Sequence, residues 1–141
     1  MAAARGLGKQ VPGPAGTLTI LHDLELEVRS GEAVAILGAS GSGKSTLLGL
    51  MAGLDHPTEG QIWLCGERLS GMDEDARAAL RAGRVGFVFQ NFQLLPTLTA
   101  LENVLLPLEL IELPGAAASA RHALKRVGLD ARADHYPRQL S

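Results

Sequence analysis

A glycine-rich loop between an apolar segment and a helix-like segment constrains the fold of this chain more than any other feature. The segment AVAIL, residues 33–37, is an unbroken apolar run, which is typical of a strand covered on both faces in a parallel sheet. The loop GASGSGKST follows at residues 38–46, and TLLGLMAG has the character of a helix. A strand, a glycine-rich turn and a helix in that order predict an α/β fold with a ligand at the turn.

The loop matches the P-loop pattern G-x-x-x-x-G-K-[ST] at Gly38, Gly43, Lys44 and Ser45. Glycines let successive backbone N–H groups converge on one anion, and the following helix adds the positive end of its dipole. Lys44 would act catalytically as a charge on the outer phosphates, and the Ser45 hydroxyl would take one position on Mg²⁺. The predicted nucleotide-binding residues are Gly38, Ala39, Ser40, Gly41, Ser42, Gly43, Lys44, Ser45 and Thr46. A turn that needs no ligand is disfavoured, because the strand and helix patterns flank the loop as a P-loop requires.

Three regions of the chain differ in pattern. Residues 1–16 are rich in Ala, Gly and Pro without periodicity, which predicts a disordered arm or a wrongly assigned start. Residues 17–94 are predicted to form a β subdomain together with the nucleotide-binding core, and residues 95–141 a partial helical subdomain. The predicted strands outside the loop are residues 17–28, 61–65 and 85–89.

Helix signals are strongest in the second half. A helix should start near Asp73, and Thr99 with Glu102 forms a capping box for another. Pro107 should kink or shorten that second helix. A further helix is predicted over residues 116–127, closed by Gly128.

Composition argues against several other functions. A net charge of −2 over 141 residues, with acids and bases interspersed, gives no basic stripe for nucleic acid. The single cysteine, Cys65, cannot form an internal disulfide, and its strand-like setting predicts a small buried side chain. The four histidines lack metal-ligand spacing, so no zinc site is predicted. No apolar run approaches the length of about 18 residues needed for a membrane span.

Three blocks together resemble a known family: ASGSGKSTLLGLMAGLDHPTEGQI, GFVFQNFQLLPTLTALENV and YPRQLS. They resemble the nucleotide-binding subunit of ATP-binding cassette (ABC) transporters. The stretch DEDARAALRAGRVGFVFQ looks most like the branch that contains lipoprotein-release and macrolide-export ATPases. The resemblance implies a P-loop NTPase core of the ABC ATPase type, with an N-terminal β subdomain and an incomplete helical subdomain.

The resemblance also implies a function. The chain would be the N-terminal portion of a subunit that binds Mg·ATP, pairs head-to-tail with a second ATP-binding subunit and energises a membrane permease. It would be cytoplasmic and peripheral on the inner face of the cell membrane. Gln90, at the end of VGFVFQ, would reach the Mg²⁺ and the attacking water; taken alone, it is a polar side chain at the carboxyl edge of a strand. Residues from Phe92 to Leu98 would line a groove for a permease helix, although core packing explains their apolar character equally well.

The sequence departs from the family pattern at its start. The family stacks adenine on an aromatic side chain near the position of Val11, yet no aromatic residue precedes Trp63. Either aliphatic contacts hold the base or the family's first strand is absent.

The family also places functional residues after Ser141. Leu140 and Ser141 would begin a clamp for the γ-phosphate in the opposite subunit, followed by a Mg²⁺-associated Asp, a general-base Glu and a switch His. We therefore expect these 141 residues to bind nucleotide with negligible ATPase activity, as a non-hydrolysing fragment would. Without the Asp-bearing strand beside it, AVAIL should expose apolar surface. A small-molecule kinase or a GTPase is the remaining alternative, but neither an arginine-rich lid nor an N-K-x-D motif is present.

Overall fold

The computed structural model describes residues 1–14, 16–90 and 93–140. It divides into two compact units, Met1–Phe87 and Val88–Ser141. The first contains β1 (Ala2–Gly13), β2 (Gly16–Val28), α1 (Lys44–Met51), β3 (Glu59–Leu64), β4 (Glu67–Arg68) and α2 (Glu74–Arg81). The second contains α3 (Ala100–Leu110), α4 (Ala116–Arg126), a 3₁₀ turn (Asp130–Arg132) and α5 (Pro137–Leu140). Phe92 and Ser141, both named in the sequence predictions, lie outside the described residues.

The first unit is built on an antiparallel sheet with strand order β2-β1-β3-β4. Strand β1 lies between β2 and β3 in this sheet. It covers most of the segment that was predicted to be a disordered arm, so that prediction was wrong. The segment has little apolar periodicity of its own, but β2 and β3 flank it and bond to both of its edges. Strand formation here depends on these neighbours rather than on local propensity.

One glycine allows β1 and β3 to approach closely. Gly60 has φ +81°, and a Cβ at this position would lie 2.2 Å from the Gly6 carbonyl oxygen. The sheet and α1 enclose a continuous apolar core in which Leu7, Leu50 and Ile62 are almost fully buried. Other core members are Ala4, Leu21, Leu47, Met51, Leu64, Leu69 and Leu80.

Two predicted strands are not strands in the structure. Residues 33–37, expected to be buried on both faces, form none, and Leu37 is 90% exposed. Residues 85–89 form none either, and Val88 is 97% exposed. A parallel strand exists only where a neighbour completes its ladder, and no described strand takes that place beside residues 33–37. This agrees with the expectation that AVAIL would expose apolar surface.

Several local predictions are confirmed. Asp73 caps α2, and its carboxylate accepts a hydrogen bond from the Ala76 N–H at 2.8 Å. Thr99 and Glu102 form the capping box of α3. That helix continues through Pro107 as far as Leu110. In the second unit, Ala100, Leu124 and Ala133 form a small core.

Three further observations bear on the sequence predictions. The chain boundary between the two units falls after Phe87, whereas the sequence suggested a division after residue 94. Cys65 is exposed in the turn after β3 with φ +53°, so the prediction that it is buried was wrong. No helix in the described part of the chain is long and apolar enough to cross a membrane.

Candidate functional site

The predicted P-loop lies between residues 33–37, which form no strand, and the first turn of α1. Gly43 is the N-cap of this helix, and the Leu47 N–H donates to the Gly43 carbonyl at 2.8 Å. Among the described residues, no side chain caps the helix, and its first turn carries no acid. The positive end of the α1 dipole is therefore not neutralised by its own side chains, which favours a bound anion.

Gly43 is required by both conformation and space. Its φ of +85° lies in the left-handed region, which side-chain-bearing residues rarely adopt. A Cβ at this position would approach the Ile20 side chain at 3.0 Å and the Ile20 carbonyl oxygen at 3.1 Å. Strand β2 thus packs directly against the end of the loop. The motif identifies Gly43, but its pattern says nothing of Ile20 or Leu21, because the contact joins segments far apart in sequence.

Lys44 folds back over the loop. Its Nζ donates to the Gly38 carbonyl oxygen at 3.0 Å, the Ala39 carbonyl oxygen at 2.5 Å and the Ser42 Oγ at 3.3 Å. The ammonium group therefore lies at the mouth of the loop whose backbone would surround an anion. Residues Gly38 to Ser42 are exposed, so a phosphate chain can approach this side chain from solvent.

Helix α1, which follows the loop, is anchored to the first unit by apolar packing. The apolar side chains of Leu47, Leu50 and Met51 bury one face of α1 in the core of the first unit. Full burial of a leucine contributes about 1.5–3 kcal/mol. At the other end of the helix, the Lys9 Nζ binds Asp55 Oδ2 at 2.7 Å and the His56 carbonyl oxygen at 2.7 Å. The hydrogen bond from Lys9 lowers the pKa of Asp55.

The available oxygen donors fit a Mg²⁺ ion that arrives with phosphates rather than one held by the protein alone. The described residues contain no group of three or more His, Cys, Asp or Glu side chains that could hold a metal. Ser45 is exposed in the first turn of α1, beside Lys44. Because Mg²⁺ keeps several waters and uses one or two protein ligands with substrate phosphates, a single hydroxyl at this position is compatible with it.

Gln90 and the predicted permease groove belong to the second unit. Gln90 is exposed and follows residues 85–89, which form no strand. Within the described part of the groove, Leu94 and Leu95 are 42% and 47% exposed, and Leu98 is half-buried. Among the described residues, the P-loop positions 38–46 are therefore assembled in one unit, and Gln90 with residues 93–98 in the other.

The chain is similar in sequence to a known protein family and to several known proteins. The family profile described as "ABC transporter" matches residues 21–141. The lipoprotein-releasing system ATP-binding protein LolD of Pseudomonas syringae pv. tomato is 49% identical over 99% of this chain and 62% of its own length. The uncharacterized ABC transporter ATP-binding protein YbbA of Escherichia coli K12 is 54% identical over 88% of this chain and 55% of its own.

A solved structure matches the fold over the whole chain. It is the dimeric, post-hydrolysis state of the ATP-binding cassette MJ0796 bound to ADP and Pi, with a TM-score of 0.93 and 37% identity. The match covers 100% of this chain and 63% of that one. The chain thus spans less than two thirds of the length of these relatives, and its α/β architecture is that of an incomplete ABC ATPase cassette.

Proposed function

The chain belongs to the ABC transporter family, and on that premise we propose that it is the nucleotide-binding portion of an ATP-binding subunit that uses Mg·ATP to energise a membrane permease. The observation that carries this proposal is the P-loop at the unneutralised N-terminus of α1, with the Lys44 ammonium at its mouth. Family membership makes the kinase and GTPase alternatives unnecessary.

Each loop residue has a proposed role. The backbone N–H groups of residues 38–43 and the first turn of α1 would surround the phosphate chain, since together they form an anion-binding nest. Lys44 would exchange its carbonyl acceptors for the outer phosphate oxygens, a stronger charge-assisted pairing. Thr46, half-buried in the first turn of α1, would complete the cradle.

Ser45 and Gln90 are the proposed Mg²⁺ contacts. When bound, Mg²⁺ neutralises charge on the phosphates and polarises them for transfer. The Ser45 hydroxyl would supply one neutral oxygen, and the Gln90 side chain another. Gln90 would also orient the attacking water, which makes it the second proposed catalytic residue beside Lys44.

Assembly and location follow from the same proposal. A second ATP-binding subunit would pair head-to-tail with the complete subunit, and the dimeric state of the structural relative supports this. A permease would recruit the subunit to the inner face of the membrane from the cytoplasm. Residues 92–98 are the proposed contact with that permease, supported by the exposed leucines of the described part.

We expect this 141-residue chain to bind ATP without hydrolysing it. The proposed nucleotide cradle lies within these residues, whereas the family's general base and complete γ-phosphate clamp do not. We expect saturable binding of ATP with Mg²⁺, and phosphate release no faster than in buffer. Equilibrium dialysis with labelled ATP and a phosphate-release assay on the same sample measure both, with ADP and GTP as comparison ligands. Absence of saturable ATP binding would contradict the proposed function, and sustained phosphate release would contradict the non-hydrolysing account of this chain.

A further inference from the structure

One side chain ties the loop of residues 95–99 to helix α3. The Asn103 Oδ1 accepts a hydrogen bond from the Leu95 N–H at 2.8 Å. The Nδ2 of the same amide lies 3.1 Å from the Leu95 carbonyl oxygen, 3.0 Å from that of Leu98 and 2.9 Å from that of Thr99. Asn103 therefore bonds to the backbone at both ends of this loop, which we call the 95–99 loop.

Only a primary amide of this length suits the arrangement. It offers one acceptor for the Leu95 N–H and two donor hydrogens for the three carbonyls. A carboxylate could replace the acceptor but has no donor, and an alkyl side chain replaces neither. Because Asn103 sits four residues after Thr99, its side chain lies on the face of α3 that the loop crosses.

The helix that carries Asn103 is itself fixed. The Ala100 N–H donates to the His135 carbonyl at 2.8 Å, and the Leu101 N–H donates to the Ala133 carbonyl at 2.9 Å. Ala100 and Ala133 also lie in the small core of the second unit. Asn103 thus bonds the 95–99 loop to a helix whose first turn is itself held by hydrogen bonds to the backbone of residues 133 and 135.

This arrangement explains why apolar side chains near the loop remain exposed. Its backbone groups bond to Asn103, while Leu94 and Leu95 leave 42% and 47% of their surface to solvent. A loop without this restraint could turn its leucines onto α3, because burial of apolar surface is favourable.

We propose that Asn103 is a positioning residue that holds the 95–99 loop with Leu94 and Leu95 presented to an apolar helix of a membrane permease. The inference rests on the proposed function for the identity of that partner. The hydrogen bonds to Asn103 themselves do not depend on it.

The first experiment tests the restraint in the 141-residue chain by NMR, at protein concentrations that keep association low. Asn103→Ala should accelerate hydrogen exchange of the Leu95 amide by about fivefold to tenfold, the scale of one lost hydrogen bond, with little change in the α3 interior. Asn103→Asp should retain protection of the Leu95 amide but shift the carbonyl ¹³C resonances of Leu98 and Thr99. Glu109→Gln, an exposed change on the same helix, is the matched control. An unchanged Leu95 exchange rate in Asn103→Ala would overturn the proposal, as would equal acceleration of every α3 amide.

The second experiment measures affinity for the permease of the assembled transporter, solubilised in dodecyl maltoside. Leu95→Asn tests the contact surface, and Asn103→Ala tests its positioning. Both should weaken permease binding by about tenfold or more and leave ATP affinity unchanged. If Leu95→Asn has no effect, the permease contact in the proposed function fails. If Leu95→Asn weakens binding and Asn103→Ala does not, the contact stands and the positioning role of Asn103 is overturned.

Discussion

Lys44 and Gly43 show two different ways in which a single residue can constrain the same site. Lys44 contributes charge, and its present hydrogen bonds to the carbonyls of Gly38 and Ala39 can be replaced by bonds to phosphate. Gly43 contributes the absence of a side chain, since a Cβ there would press on Ile20 of β2. The position of the Lys44 charge therefore depends on a backbone conformation at residue 43 that glycine adopts without strain.

Recognition of the nucleotide base is a residue-scale feature on which the structure adds one observation. A strand, β1, precedes the P-loop, and Val11 on that strand pairs with Leu18 of β2. We propose that Val11 makes the aliphatic contact with the base that the sequence offered as one of two alternatives.

We predict that Val11→Tyr tightens ATP binding by about twofold to tenfold. An aromatic ring adds stacking of about 0.5–1.5 kcal/mol to the contact with a flat base. Isothermal titration with Mg·ATP measures the change, and Leu18→Tyr, at the paired position on β2, is the matched control. Equal affinities for the wild type and Val11→Tyr would argue against a base contact at this position.

Among the elements, α3 has the most completely defined N-terminus. The Glu102 carboxylate accepts hydrogen bonds from the backbone N–H and the hydroxyl of Thr99, at 2.7 and 2.8 Å. The backbone bond and then the hydroxyl bond lower the pKa of Glu102. A lowered folded-state pKa means that the stabilisation is complete above the unfolded pKa, about 4.3, and is lost as the pH falls through the folded value.

We therefore predict that acid weakens the cap of α3 in the wild type but not in Glu102→Gln. At neutral pH, Thr99→Ala should cost about 1 kcal/mol of helix stability, the usual effect of losing an N-cap. Urea denaturation followed by circular dichroism at pH 7 and pH 3.5 measures both effects, with Glu109→Gln as an exposed control on the same helix. A Glu102→Gln variant with the same acid sensitivity as the wild type would show that the capping carboxylate is not the titrating group.

The sequence predicted some elements better than others. Elements that depend on residues close together in sequence were predicted, whereas those that depend on distant segments were not. Asp73, Thr99 and Glu102 act on residues three positions away, so their patterns alone identified the starts of α2 and α3. Strand β1 was missed because its ladder is supplied by β2 and β3, which are distant in sequence. The P-loop was predicted from its motif, whereas the contact of Ile20 with Gly43 and the hydrogen bonds of Asn103 required the fold.

At the scale of the whole molecule, exposed apolar surface is the feature that most favours association between chains. Val34 and Leu37 are 44% and 90% exposed in a segment that forms no strand, and Val88 in the other unit is 97% exposed. Exposed apolar side chains in segments that belong to no sheet favour association between chains. The 141 residues taken alone should therefore be only marginally stable as a monomer.

We predict concentration-dependent association of the isolated 141-residue chain. Sedimentation velocity over a range of micromolar concentrations should show species larger than a monomer, and Leu37→Gln should reduce them by removing one exposed apolar side chain. Leu47→Gln, which places a polar group in the core, is the contrasting variant and should promote association. A soluble monomer with a single cooperative unfolding transition at all these concentrations would contradict the prediction.

The loop at the start of α1 is proposed to bind the phosphates of a nucleoside triphosphate through Lys44. Isothermal titration with Mg·ATP, at protein concentrations that keep association low, tests it most directly when wild type, Lys44→Ala and Lys125→Ala are compared. Lys125 is an exposed lysine near the end of α4 and controls for the loss of one positive charge. Loss of a charge-assisted contact of about 1.5–3 kcal/mol predicts at least about tenfold weaker binding for Lys44→Ala, with Lys125→Ala unchanged. Equal affinity of the wild type and Lys44→Ala for Mg·ATP would contradict phosphate binding through Lys44.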